Sequence, residues 1–167
     1  SHRLAHEATV EGRFKDEIVP VEIPGRRGEV TIFDADESIR PETTVEVLAG
    51  LRPAFLADGM VTAGNSPGLN DGAAALVVTS RAYAEAHGHK PVARIVAYGQ
   101  AADEPKYLFR APIAALPVAL NKAGWTVDDV DLVELNEAFA AQVLADLRGL
   151  EQNGCPIPLD KVNVNGG

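Results

Sequence analysis

Cysteine is nearly absent from this sequence. The single thiol, Cys155, has no partner for an internal disulfide, which suits a reducing compartment. Aromatic residues make up only 5%, so an aromatic-rich recognition surface is excluded and any core must come from Ala, Val, Leu and Ile. Basic charge is in deficit, with 15 Lys and Arg against 24 Asp and Glu and a formal net charge of -9. Such a field repels phosphate backbones and argues against nucleic-acid binding, although a local group of arginines can still hold a small anion. No apolar run approaches the roughly 18 residues of a membrane span. Ser1-His2-Arg3-Leu4-Ala5-His6 lacks the shape of a signal peptide. These deficits lead to an expected cytoplasmic protein without a membrane or nucleic-acid partner.

A hydrophobic content of 46% excludes a disordered chain. A compact chain of this size buries roughly 70% of its unfolded surface, so a sizeable core is expected. There is no initiating Met, and Val162-Asn163-Val164-Asn165-Gly166-Gly167 runs from a short alternating strand into a turn. That pattern is the one expected of a segment of a longer protein.

Residues 2–11 read as a helix stopped by Gly12. Residues 17–23 read as extended, with Pro20 confining them to a sheet edge. Pro24-Gly25-Arg26-Arg27-Gly28 is a turn signal, and residues 30–33 a short strand. Thr44 is placed to cap a helix over 45–50 that Gly50 closes. The composition then changes. Residues 72–79 form a small-then-apolar run, expected as a strand buried on both faces. Ser80 suits the N-cap of a helix over 81–87, and residues 92–98 form a second apolar strand. A helix over 113–123 stops at Gly124. Pro117 is expected in its first turn, because an interior proline removes a helix hydrogen bond. Strand 131–135, helix 137–148 and strand 162–165 follow. Alternating strands and helices at these spacings predict an α/β fold with a layered sheet.

Asn136 stands where strand 131–135 meets helix 137–148. In open α/β sheets that is where ligands bind. Two readings of it remain open: an N-cap contributing about 1 kcal/mol, or an amide turned outward to a substrate oxygen or a water. The loop Thr62-Ala63-Gly64-Asn65-Ser66-Pro67-Gly68-Leu69-Asn70-Asp71-Gly72 is rich in small residues that allow close backbone approach to a ligand. It reads equally well as an ordinary connection into a buried strand. Cys155, in Asn153-Gly154-Cys155-Pro156, reads as an incidental loop cysteine. His2 and His6 lie four apart on one helix, but nothing completes a metal site beside them. His87 and His89 flank a helix end, where they complement its dipole. Glu137 is either a general base or a first-turn carboxylate favoured by the helix dipole.

Three segments in order, VTAGNSPGLNDGAAALVV, LVELNEAFAAQVLA and VNVNGG, resemble the thiolase family of acetyl-CoA acetyltransferases and 3-ketoacyl-CoA thiolases. GRFKDEIVPVEIP and LRPAFLADGMVTAGN are similar to it as well. The resemblance implies a thiolase fold of two similar halves, each a mixed sheet layered with helices, with a loop domain inserted in the first. On that template residues 1–70 are the end of the loop domain. Residues 71–91 are the last strand and helix of the N-terminal half, and residues 92–167 the first part of the C-terminal half.

The implied activity is acyl transfer between CoA thioesters, by Claisen condensation or by thiolysis of a 3-ketoacyl-CoA. The implied partners are acetyl-CoA and acyl-CoA, with coenzyme A a substrate, no permanently bound cofactor, no metal, and a homo-oligomeric assembly. Asn136 matches the Asn of the NEAF motif, which holds an ordered water in the oxyanion hole for an enolate. Arg40 matches a position near the CoA nucleotide. Ala63 and the backbone at Asn65 and Ser66 match the segment lining the pantetheine channel. Ala138 and Phe139 match the acyl end of the pocket, Phe139 being equally readable as core. Two departures stand out. Pro67 replaces a Ser that many members carry, removing a hydroxyl and an N–H. Leu108-Phe109-Arg110-Ala111-Pro112 replaces a Met-Gly-x-Gly-Pro segment, making a bulkier wall near the acyl pocket. No residue here matches the nucleophilic Cys, the catalytic His or the second Cys, so this chain by itself is expected to be inactive. A non-catalytic acyl-CoA-binding relative is the alternative. A ketoacyl synthase of the same fold is disfavoured, because those enzymes place a His where NEAF has Asn.

Overall fold

The computed structural model describes all 167 residues, Ser1–Gly167. Helix α1, His2–Val10, carries an Arg3–Glu7 ion pair of 2.8 Å along its exposed side and buries Ala8 on the other. Strands β1, Val21–Pro24, and β2, Val30–Phe33, form an antiparallel hairpin in the register Val21↔Phe33 to Pro24↔Val30. Both of its faces are exposed, and Pro20 lies just outside it rather than in its edge strand. Helix α2, Val45–Ala49, begins as expected, with the Val47 N–H donating to Thr44 Oγ1 at 3.3 Å. Helix α3, Arg81–Ala86, is capped in the same way by Ser80.

Helices α4, Ala111–Ala123, and α5, Ala140–Gln152, pack together and carry the core. Leu120, Val143, Leu150, Cys155, Ile157 and Val162 are its buried members. Gly124 takes φ 70 and lets the Trp125 N–H reach back to the Leu120 carbonyl at 3.0 Å, which closes α4. Pro117 lies in the interior of α4, not in its first turn, since the helix begins at Ala111 with Pro112 near its start. Having no N–H, Pro117 cannot bond the Ile113 carbonyl, yet the helix continues to Ala123. The helix packs against α5 and the 3-10 turn Pro105–Arg110.

The expected layered sheet is present only in part, as one hairpin and one parallel bridge. Residues 72–79 and 92–98 form no strands and are exposed except for half-buried Ala97, with Val77 97% accessible and Val92 104%. A strand buried on both faces needs neighbours along its edges and layers above and below. No other part of this chain supplies them. Strands 131–135 and 162–165 contract to one parallel bridge, Val133↔Val162. The sizeable core is likewise overturned. The chain of 17.6 kDa exposes 13474 Å², where a folded monomer of that mass exposes about 7,900 Å². No helix is long and apolar enough to cross a membrane.

One buried polar pair lies on α5. Asp146 is 1% exposed, and its Oδ2 accepts from Gln142 Nε2. Asp146 Oδ1 and Gln142 Oε1 have no partner. Burial pushes the Asp146 carboxyl above its ordinary value of 3.8, against the lowering effect of the Gln142 hydrogen bond. Protonation would let the acid donate to Gln142 Oε1 and satisfy both orphan oxygens. Because the folded value is raised, this stabilisation is complete below the unfolded value and is lost as pH rises through the folded one. Asp146→Asn supplies the same donor at every pH. It is expected to stabilise the protein by about 1–3 kcal/mol at neutral pH, with the gain vanishing toward acid. Urea midpoints of the two proteins across that pH range check it, and a gain that grows toward acid would contradict it.

Candidate active site

The loop 62–66 is built from its own side chains. Asn65 Oδ1 accepts from the Thr62 N–H at 2.8 Å, and Asn65 Nδ2 donates to the Met60 carbonyl at 2.8 Å. Ser66 Oγ donates to the Thr62 carbonyl at 2.6 Å, and buried Thr62 accepts from the Gly64 N–H. Gly64 lies directly under α2, where a Cβ would come within 2.5 Å of both Leu48 Cδ2 and Leu51 Cδ1. The Asn65 amide and the Ser66 proton are therefore committed to holding the loop's shape. What the loop presents outward is exposed Ala63 and backbone.

This loop meets the start of α5. The Ala140 N–H donates to the Asn65 carbonyl at 3.0 Å, satisfying one of the helix's free N-terminal donors. The N-cap of α5 is Phe139, extended at φ -150, so Asn136 is not the cap and that reading of it falls. Asn136 sits upstream of the helix, exposed and uncommitted to the helix end. Phe139 is half-buried and meets Phe109 edge-to-face, ring centroids 5.5 Å apart at 85°. Leu108, beside Phe109, is exposed. The 3-10 turn carrying both is held by Arg110, which bonds Asp103 at 2.7 Å and lies over the Tyr107 ring. That hydrogen bond holds the Asp103 carboxyl below its ordinary range.

The chain's last turn closes the other side. Gly166 packs on Ala5 of α1, and Arg13 donates to Asn165 Oδ1 at 2.8 Å. Half-buried Glu137 accepts from Ser1 Oγ at 2.5 Å, and its Oε2 lies 2.7 Å from where a Cβ on Gly167 would stand. Loop 62–66, NEAF and NGG, in that sequence order, thus become one spatial cluster. Arg40 stands apart from it in its contacts: its side chain is exposed, and only its backbone is bound, the N–H to His2 Nδ1 at 3.2 Å and the carbonyl by the Thr43 N–H at 3.1 Å. Cys155 is buried, and its backbone N–H closes the end of α5 by donating to the Leu150 carbonyl at 2.8 Å. Burial pushes its thiol above the ordinary value, the opposite of what a nucleophile needs. Asn163 was not anticipated as part of the site. It is buried with φ 46, and the alternation Val162-Asn163-Val164-Asn165 masks it as an ordinary strand residue.

The convergence of the NEAF segment, the small-residue loop and the NGG turn is that of a partial enzyme fold of the α/β class. Two family models cover nearly all of it: "Thiolase, N-terminal domain" over residues 1–82 and "Thiolase, C-terminal domain" over residues 89–167. The chain belongs to the thiolase family.

An acetyl-CoA acetyltransferase of Allochromatium vinosum is 49% identical over 167 residues, covering all of this chain and 41% of that protein. A 3-ketoacyl-CoA thiolase of Marinobacter nauticus is 51% identical over 168 residues, covering 42% of its length. The crystal structure of Bacillus anthracis acetyl-CoA acetyltransferase superposes with TM-score 0.89 at 47% identity, over 100% of this chain and 41% of that one. Human mitochondrial 3-ketoacyl-CoA thiolase in complex with CoA gives TM-score 0.86 at 40% identity, over 99% of this chain and 40% of that one. The chain thus spans about two fifths of the length of these relatives, and what it exposes along residues 72–79 and 92–98 is a partial thiolase fold.

Proposed function

We propose that the complete protein carrying this chain transfers acyl groups between CoA thioesters, condensing two thioesters or cleaving a 3-ketoacyl-CoA with CoA. The observation that carries the reading is exposed Asn136, free of the helix cap and on the segment whose Ala140 meets loop 62–66 and whose Phe139 meets Phe109. Removing a proton from the carbon next to a thioester places negative charge on the thioester oxygen. Preorganised donors at that oxygen lower the barrier. In this reading Asn136 holds an ordered water that donates to the enolate oxygen, together with a histidine that none of His2, His6, His87 or His89 matches. The nucleophilic thiol is also supplied elsewhere, because Cys155 is buried and protonated.

The ligand contacts follow the same template. Arg40 meets the nucleotide end of CoA. Ala63 and the backbone at Asn65 and Ser66 line the pantetheine path. Pro67 offers that path no donor, and the Ser66 proton is spent on Thr62. Leu108, Ala138 and Phe139 form the acyl end, where the edge-to-face Phe109–Phe139 contact supports an apolar wall. Coenzyme A enters as substrate, with no resident cofactor. Residues 1–70 end the loop domain, 71–91 end the N-terminal half, and 92–167 begin the C-terminal half. The assembled protein is a cytoplasmic homo-oligomer.

The test incubates the complete protein with acetoacetyl-CoA and CoA and measures acetyl-CoA by mass spectrometry. Acetyl-CoA is expected from the complete protein and none from residues 1–167 alone. Tight CoA binding with no acetyl-CoA formed would instead make this an acyl-CoA-binding relative without catalysis.

A further inference from the structure

Asn163 behaves as two strand residues at once. Its backbone N–H donates to the Val133 carbonyl at 2.9 Å and so continues the parallel bridge. Its φ of 46 then turns the main chain out of the ladder. The side chain takes over where the main chain leaves. Asn163 Oδ1 accepts from the Leu135 N–H at 2.8 Å, and Asn163 Nδ2 donates to the Leu135 carbonyl at 2.9 Å. An amide presents an acceptor and a donor in one plane, as a peptide group does. The side chain is 6% exposed, and both of its ends are satisfied.

The Leu135 carbonyl belongs to the peptide that leads into Asn136. The segment bearing the Asn136 amide is therefore anchored one peptide away by two buried hydrogen bonds. The same amide faces the outgoing chain. The Asn163 carbonyl accepts from the Gly166 N–H at 2.8 Å, and a Cβ on Gly167 would lie 2.4 Å from Asn163 Nδ2. Asn163 thus stands between the Asn136–Glu137 segment and the Gly166–Gly167 turn, and it fixes one against the other.

We propose that Asn163 is the positioning residue for Asn136: its amide clamp on Leu135 sets the aim of the Asn136 side chain toward the reacting thioester. The proposal rests on the role given to Asn136 above. A misplacement of about 1 Å in such a donor costs on the order of 100-fold in rate.

The test uses the complete protein and a double-mutant cycle. Asn163→Gly keeps the left-handed backbone and removes the clamp. It is expected to lower kcat on the order of 10- to 100-fold while KM for acyl-CoA stays within about twofold. In an Asn136→Ala background the same change is expected to cost less than about twofold more, because the group it aims is gone. Losses that multiply, or an unchanged kcat in Asn163→Gly, overturn the proposal. Asn136→Ala without loss of turnover sinks the underlying reading separately, whatever Asn163 does.

Should Asn163→Gly fail to fold, Asn163→Asp carries the test. Its carboxylate accepts from the Leu135 N–H but opposes the Leu135 carbonyl, and protonation restores the donor. Burial raises the pH at which that happens. The kcat of Asn163→Asp relative to native is expected to climb as pH falls, and a deficit independent of pH overturns the clamp.

Discussion

Replacing Asn136 by alanine is expected to lower the turnover of the complete protein by about 100- to 1,000-fold, the range for removing one oxyanion-hole donor. Its thermal midpoint should not move. The two halves of that expectation separate the readings that the sequence left open. An N-cap asparagine would cost about 1 kcal/mol of stability when truncated. Phe139, not Asn136, occupies the N-cap of α5, and the Asn136 amide is exposed and uncommitted to the helix end. Truncating an exposed side chain away from caps and cores changes stability by about 0.5 kcal/mol or less. A catalytic loss without a stability loss is therefore the signature of the proposed role. Asn136→Asp sharpens it, since a carboxylate removes the donor and sets a negative charge beside a developing enolate. Its turnover should fall at least as far as that of Asn136→Ala. Steady-state kcat with acetoacetyl-CoA, read beside thermal melts, checks both variants. Full turnover in Asn136→Ala, or a loss that merely follows unfolding, would remove Asn136 from the mechanism.

The elements that could be read from sequence are those whose causes are local. Thr44 and Ser80 accept from backbone N–H groups in the first turns of α2 and α3, and Val30–Phe33 forms the expected short strand. These depend on residues within a few positions of one another. The failures share the opposite property. Residues 72–79 and 92–98 have strand composition, but a strand exists only through its neighbours, and this chain brings none to them. The start of α5, at Ala140, departs from local expectation for a tertiary reason. Ala138 and Phe139 stay out of the helix, and the Ala140 N–H reaches the Asn65 carbonyl, a contact between residues far apart in sequence. Local logic places Pro117 at a helix start, whereas α4, packed against α5, runs through it.

The site shows the same division. Its members were visible as motifs, because NEAF, the loop around Asn65 and NGG are each short and specific. Their convergence was visible only through resemblance to a family. The Asn163 clamp was invisible to both, since a side chain standing in for a strand residue leaves no mark on hydrophobic periodicity. Ser66 is the converse case. Its hydroxyl looks available in the sequence, yet a 2.6 Å bond to the Thr62 carbonyl commits its proton.

A large loss of stability is expected at Gly166. Gly166→Ala should cost about 3 kcal/mol, from a strained backbone and an overpacked contact acting together. Gly166 takes φ 97, which side chains rarely adopt, and an added Cβ would lie 2.6 Å from Ala5 Cβ and 3.0 Å from both Ala5 Cα and N. Two of those atoms are helix backbone, so no rotamer change can make room. The helix resists moving as well. The Ala5 N–H donates to the Ser1 carbonyl at 2.9 Å, and the Ala5 carbonyl accepts from Thr9 Oγ1 at 2.8 Å. Gly12→Ala provides the control. Gly12 has φ 74 with nothing within 4 Å of its added Cβ, so only the conformational cost of about 1–2 kcal/mol applies. The difference between the two variants isolates the steric contact with α1. Ala5→Gly in the Gly166→Ala background removes the 2.6 Å contact but leaves the two at 3.0 Å, and it weakens α1 by about 1 kcal/mol, so it should rescue only in part. Urea unfolding midpoints of the complete protein decide the matter. If Gly166→Ala proves no worse than Gly12→Ala, the closing turn does not rest on α1, and the packing that holds Gly167 beside Glu137 and Asn163 must come from elsewhere.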